Sequence, residues 1–396
     1  MEFNKYRLKE LAKYKNERID TNQLTTSNYI STENLLPNKQ GKQKANKLPS
    51  SKTVKKYTEN DILISNIRPY FKKIWQADNI GGISNDVLNI TSSNEKLSND
   101  YLYYYLSQDK FFQYMTQTSK GTKMPRGDKE AIMEFEIQVP KNVKYQNFIG
   151  NLGKILDNKI KINNEIIANL EDLSQTLFKR WFVDFEFPDE NGNPYKSSGG
   201  DMIDSELGEI PSGWKVDELG NYIKIKSGKR PKNKVDKKDI ENVVPIIGAS
   251  KIMGYTNDYL YNEKIIIIGR VGTHGVIQRF STRTWPSDNT FVIISDFESI
   301  IYQVLKSIDY ISLNRGSTQP LLSQKDIKNT KVAMPTNETL LSTYQKENNH
   351  ILKMMNQKNI ENQKLTQLRD TLLPKLMSGE IEIPNDIEVN EDELSI

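Results

Sequence analysis

Two stretches of this chain, 195 residues apart, carry mostly apolar residues at alternating four- and three-residue steps, and no other feature constrains the fold as much. The first runs Leu156, Ile160, Asn163, Ile167, Leu170, Ser174, Leu177, Trp181; the second runs Ile351, Met355, Lys358, Asn362, Leu365, Arg369, Leu372, Leu376. This step marks a coiled-coil seam, because about 3.5 residues per turn keep one edge of a helix facing a partner. Helices of about 35 residues extend roughly 50 Å, more than a small domain needs to cover itself. The two are therefore expected to pack on each other. The pairing residues would be Leu156, Ile160, Ile167, Leu170 and Leu177 on one helix and Ile351, Met355, Leu365 and Leu372 on the other. Polar residues interrupt the seam, at a cost in stability and with a gain in register.

The same offset extends upstream. Gly121-Thr-Lys-Met-Pro125 recurs as Gly316-Ser-Thr-Gln-Pro320, Ile132 as Ile327 and Pro140 as Pro335. Further upstream, Asp61-Ile-Leu-Ile-Ser65 aligns with Lys264-Ile-Ile-Ile-Ile268 and Ser84 with Ser287, at an offset of 203. Tyr6–Tyr14 aligns with Trp214–Tyr222 at 208. After each helix, Phe185-Glu-Phe-Pro188 matches Ile381-Glu-Ile-Pro384, and the alternation before proline predicts a short edge strand. An ordered series of matches means one globular unit plus one long helix, written twice. The expected boundaries are globular units at 1–143 and 214–338, helices at 144–182 and 339–378, a connector at 183–213 and a tail at 379–396.

Within the globular units the signal is mainly β: ILIS, VLNI and FEIQV in the first, VVPII, IIIIG and TFVII in the second. Helical stretches intervene at Leu97–Thr118 and Phe297–Leu305, so each unit reads as a small mixed α/β domain. There is no cysteine and there are only two histidines, which excludes disulfides, thiolate metal sites and a cysteine nucleophile. No apolar run approaches the roughly 20 residues of a membrane span, and no signal-peptide core opens the chain, so a cytoplasmic protein is expected.

The net charge of +4 says less than its distribution. Lysines cluster at Lys39–Lys56 and at Lys224–Lys238; the bland reading is solvated surface, the sharper one phosphate binding. Two loops occupy the same place in the two units. Lys120, Thr122, Lys123 and Arg126 lie in one, and Arg315, Ser317 and Gln319 in the other. Glycine permits close backbone approach, hydroxyls reach phosphate, and Lys, Arg or Gln reach base edges. Either loop alone is also compatible with a tight turn before a strand; recurrence favours recognition. Arg68, Lys72 and Lys73 follow one central strand, Arg270 and His274 the other, and Lys229 and Arg230 lie in the second lysine cluster. His274, without a sequence partner, reads as a hydrogen-bonding loop residue.

The run LEDLSQTLFKRWFVDFEFPDENGNPYKSSGG, the following GEIPSGWKVDELGNYIKIKSGKRP, the loop RGSTQP and the tail LRDTLLPKLMSGEI resemble the specificity subunit of type I restriction-modification enzymes over nearly the whole chain. The resemblance implies two target-recognition domains, each reading one half of an asymmetric bipartite DNA site, and two antiparallel helices that set the gap. It also implies two methyltransferase subunits docked on this scaffold, with restriction subunits able to join. Phe178, Trp181, Phe182, Leu373 and Leu376 are the expected docking residues. S-adenosylmethionine, ATP and Mg are expected on the partners and no cofactor on this chain. A type IIB specificity subunit is the alternative. Consistent with a non-catalytic role, there is no G-x-G, no glycine-lysine pair followed by Ser or Thr, and only a single-proline Asn193-Pro194-Tyr195, which reads as a turn.

Overall fold

A computed structural model describes residues 1–271, 275–313 and 321–384. Two compact units emerge: Met1–Asn163 together with the chain from Ile360, and Asn164–Asn359.

In the first unit, Phe3–Arg7 pairs antiparallel with Glu136–Pro140. A four-stranded antiparallel sheet follows in the order Ala12–Tyr14, Val87–Ser92, Ile62–Ser65, Ile74–Gln76. Its central Ile62–Ser65 strand is buried on both faces. Side chains alternate along a strand, so Ile62 and Ile64 join a core with Tyr101, Phe111 and Phe112 from helices Asn99–Leu106 and Asp109–Gln117. Leu63 instead joins Ile30, Tyr57, Trp75 and Ile83, which belong largely to a second sheet. That sheet runs Arg18–Asp20, Thr53–Tyr57, Gly81–Ile83, Tyr29–Ile30, the last pair parallel.

The second unit repeats this plan. Trp214–Glu218 pairs with Lys331–Pro335. The four-stranded sheet runs Lys224–Ser227, Thr290–Ile294, Ile265–Gly269, Ile277–Phe280, and a smaller one pairs Val244–Ile247 with Ile252–Thr256 and, in parallel, with Trp285–Pro286. Helix Glu298–Ser307 contributes Ile300, Ile301, Val304 and Leu305 to the core.

The long helices span Val143–Phe182, 40 residues, and Glu338–Ser378, 41 residues. Each unit holds one part of both, and in each the two parts run antiparallel. In the first unit Asp157 meets Arg369 at 2.5 Å, and Asn163 donates to Asn362 at 2.9 Å. In the second, Ser174 donates to Asn348 at 2.7 Å, while Phe178 and Trp181 lie against Tyr344. Along Val143–Phe182 the seam residues Leu156, Asn163, Ser174 and Trp181 are buried, and Ile160, Ile167, Leu170 and Leu177 half-buried. Ile351, Met355, Leu365 and Leu372 are likewise half-buried, while Lys353, Met354, Asn356 and Gln357 between them are exposed.

Backbone hydrogen bonds reveal the repeat more sharply than side chains do, and they correct the alignment. Leu8 donates to Phe135 O and Leu219 to Thr330 O, both at 2.9 Å. Phe3 faces Pro140 as Trp214 faces Pro335. The true offset at the first strand is therefore 211, not 208; matching Glu10-Leu11 to Glu218-Leu219 slipped the alignment by three. Ser65 faces Val87 as Gly269 faces Thr290, which makes the central-strand offset 204, not 203. One residue matters here because it turns every side chain to the other face. The Ser84–Ser287 match stands: each donates its N–H to an isoleucine carbonyl, Ile30 or Ile247, at 2.9 Å.

The expected edge strands after the helices do not form. Phe185 takes a left-handed φ of 59°, and Glu186 N–H reaches back to Arg180 O at 2.7 Å; 195 residues on, Ile381 N–H reaches Lys375 O at 3.2 Å. Each helix end is thus wrapped by the chain that follows. Phe185 and Phe187 pack on Trp214, so their alternation reflects plugs in a core rather than strand faces.

Candidate nucleic-acid interface

At the end of the Ile62–Ser65 strand, three loops of the first unit are stitched together. Lys120 and Arg126 exchange backbone hydrogen bonds at 2.8 and 2.9 Å and close a small hairpin. Arg68 N–H donates to Pro125 O at 2.8 Å, and Asn66 N–H to Asp86 O at 2.8 Å. Gly127 packs closely at the junction: a Cβ there would sit 2.6 Å from Met115 Cε and 2.7 Å from Asn66 Oδ1, so those side-chain ends would have to shift. The Lys120–Arg126 hairpin, the Arg68 turn and the Ser84–Asp86 turn therefore form one rim.

The predicted cations on this rim divide. Lys123 and Thr122 are exposed at the hairpin tip. Lys120 pairs with Asp128 at 2.5 Å, an interaction that raises the lysine's pKa and lowers that of the carboxyl. Arg126 pairs with Asp86 at 3.2 Å but remains more than half exposed. Lys72 turns to Asp109 at 2.7 Å. Lys73 is withdrawn from the surface: its ammonium donates to Thr32 O, and burial holds its pKa below the ordinary lysine value. Residue spacing could not separate these roles, because it is the left-handed backbone at Lys72 that redirects the chain.

Among its described residues, the second unit repeats part of this frame. Arg270 N–H donates to Asn289 O at 2.8 Å, and Val271 pairs with Leu321 as Ile67 pairs with Arg126. Arg270 is exposed, with its guanidinium over the Phe291 ring. Lys229 N–H is fixed to Pro286 O at 3.0 Å, and Lys229 O accepts from Trp285 Nε1 at 2.8 Å, so its side chain starts from an anchored backbone. Arg230, largely exposed, stands 3.8 Å from Asp288. His274, Arg315, Ser317 and Gln319 lie outside the described residues. Among the described residues, no group of three or more His, Asp or Glu is placed to hold a metal ion, and no helix is long and apolar enough to cross a membrane.

Among the described residues, the two units thus share the backbone bonds at the strand end and differ in the side chains that these bonds carry. The profile described as the type I restriction modification DNA specificity domain matches residues 1–172 and 211–370. The chain belongs to this family. It is similar to the type I restriction enzyme MjaIX specificity subunit of Methanocaldococcus jannaschii, 28% identical over 320 residues, covering 72% of this chain and 69% of that protein. The HindI specificity subunit of Haemophilus influenzae is 23% identical over 464 residues, covering 96% of this chain and all of that one. The fold matches the crystal structure of a type I restriction-modification system S subunit from M. genitalium, with a TM-score of 0.59, 17% identity and 97% coverage of both chains. These relatives are named as type I subunits, which does not favour the type IIB alternative.

For a specificity subunit, the expected docking residues need revision. Phe178, Trp181 and Phe182 are at most 8% exposed, enclosed in the second unit's core with Tyr344 and Trp214. Leu373 and Leu376 are at most 4% exposed in the first unit's core. These side chains hold each unit onto its helices and offer a partner almost no surface. The sequence reading also passed over Tyr70, Phe71 and Met124, which are 48%, 40% and 47% exposed on the first unit's rim loops. An aromatic pair directly after Arg68-Pro69, too close to the strand end to be core, was the available signal.

Proposed function

We propose that this specificity subunit reads an asymmetric, two-part DNA sequence, one half with each rim, and performs no chemistry itself. The supporting observation is the frame shared at the strand end: matching backbone hydrogen bonds, with Asn66 and Arg126 on one copy and Arg270 and Leu321 at the corresponding places of the other. Phosphate contacts from exposed lysines would position each rim, and a few base-edge contacts would give identity. The two long helices would set the number of base pairs left unread. Two methyltransferase subunits, using S-adenosylmethionine, would modify the site, and restriction subunits requiring ATP and Mg would cut or translocate, all in the cytoplasm. The chain would carry none of these cofactors.

Methylation mapping in a host expressing the chain with its methyltransferase tests this. Two short specific sequences separated by a fixed unspecified gap are expected. A continuous motif, or methylation or cleavage by the isolated chain, contradicts it.

A further inference from the structure

We propose that the Arg68–Lys72 turn is an aromatic wedge that enters a base step of double-stranded DNA. The inference rests on the reading of this chain as a DNA-specificity subunit, and concerns the first unit alone.

Tyr70 and Phe71 are adjacent, 48% and 40% exposed, with ring centroids 4.7 Å apart. Side chains of this size normally find cover, and paired exposure marks a contact surface. The backbone displays them deliberately. Arg68 and Lys72 adopt left-handed φ values of 49° and 51°, a conformation that residues with a Cβ rarely take, and Pro69 stiffens the turn between them. Such strain persists only where the surroundings impose it. Here they do: Arg68 N–H is held by Pro125 O at 2.8 Å, while Phe71 O and Lys72 O accept from Asn38 and Lys39 at 2.8 and 2.9 Å.

The root of the turn is also braced by charge. Lys72 pairs with Asp109 at 2.7 Å, at the start of helix Asp109–Gln117. Lys39 lies 3.7 Å from Asp109 and 3.6 Å from Asp370 on the second long helix. A tip that is exposed and apolar, on a base that is pinned and ionic, can push without folding back. Cations for the flanking phosphates are at hand in Arg126 and Lys123, and Met124 adds exposed apolar surface on the adjoining hairpin. Aromatic and aliphatic wedges that part a base step kink the duplex by roughly 20–90°, and pyrimidine–purine steps yield most easily.

In the second unit the sequence between the matching strands, Val271-Gly-Thr-His-Gly-Val276, holds no Tyr, Phe or Trp. The wedge therefore marks one half-site and not the other.

The test uses the chain assembled with its methyltransferase subunits and a DNA carrying the mapped motif, with dyes at both ends to report bending by energy transfer. The wild type is expected to kink the DNA. Tyr70→Ala with Phe71→Ala is expected to abolish the kink and weaken binding about 10- to 100-fold, the scale of losing one or two base–aromatic stacks. Phe71→Leu, which keeps an apolar wedge, should keep the kink. Unchanged discrimination at the other half-site shows that the double variant is folded. A wild-type complex that binds its motif without kinking it, or a double variant that kinks it equally, overturns the wedge while leaving the DNA-reading function intact. A wild-type complex without sequence-dependent affinity overturns both.

Discussion

At the foot of its helices the first unit closes with Leu373, Leu376 and Met377, set in one core with Phe111, Phe112 and Phe135. The second unit closes, at the positions 195 residues earlier, with Phe178, Trp181 and Phe182 around Tyr344 and Trp214. The polar locks differ as much. Ser174 and Arg369 are the same position of the repeat. Ser174 donates to Asn348 at 2.7 Å and accepts from Gln303 at 2.6 Å; Arg369 spans to Asp157 and to Asp370. What the two units share is backbone: the strand registers, the Leu8 and Leu219 bonds, the Ser84 and Ser287 turns, and the six-residue wrap at each helix end. A frame held by main-chain bonds leaves the side chains of core and rim free to diverge. This is what two independent readers on one chain require.

If the cores are separate, damage should stay local. Trp181→Ala empties a large aromatic site and is expected to destabilise by about 3–5 kcal/mol. Hydrogen exchange should show amide protection lost in Trp214–Leu305 and kept in Phe3–Val139. Equal loss in both would break the comparison. The polar locks come next. Ser174→Ala strands Gln303 and Asn348 in a buried site and should cost about 1–3 kcal/mol by urea unfolding; Asp157→Ala should cost about 1.5–3 kcal/mol by leaving Arg369 with Asp370 alone. A double Ser174→Ala, Asp157→Ala variant should be additive, because the locks share no partner.

Smaller effects lie on the rims. Lys123→Ala should lower affinity equally for all sequences and reduce the slope of log affinity against log salt by about 0.9, the release expected for one phosphate contact. A change confined to particular sequences would reassign Lys123 to base reading. Smallest of all is a pH effect at Asp217 of the second unit. Hydrogen bonding from Lys215, Asn221 and Tyr222 holds the Asp217 carboxyl down to about 2. A depressed folded-state value means the contribution is complete above the ordinary carboxyl range and is lost as pH falls toward 2. Asp217→Asn should therefore cost about 0.5–1 kcal/mol near neutral pH and nothing below pH 2.

Much of this was legible because repetition and helical period are properties of the sequence itself. The seam from Leu156 to Trp181 and the central strands ILIS and IIIIG needed no structure to find. Register did not follow, since Glu-Leu recurs by chance three residues from its structural counterpart and only cross-strand hydrogen bonds decide between the alternatives. Burial at the helix ends was misread for a different reason. Phe178, Trp181 and Phe182 sit where both a core and a docking face would place aromatics, and their enclosure by Trp214 and Tyr344 depends on residues far away in sequence. The rim cations failed similarly: nothing in Arg68-Pro-Tyr-Phe-Lys-Lys73 shows that Lys73 turns inward to Thr32.

The central claim is that the two rims read independently. It is tested most directly by replacing Lys120–Arg126 with Arg315–Leu321 and mapping methylation genome-wide with the methyltransferase present. The account predicts that one half of the motif changes while the other half and the gap between them stay as they were. A motif altered in both halves, or one unaltered in either, would contradict it.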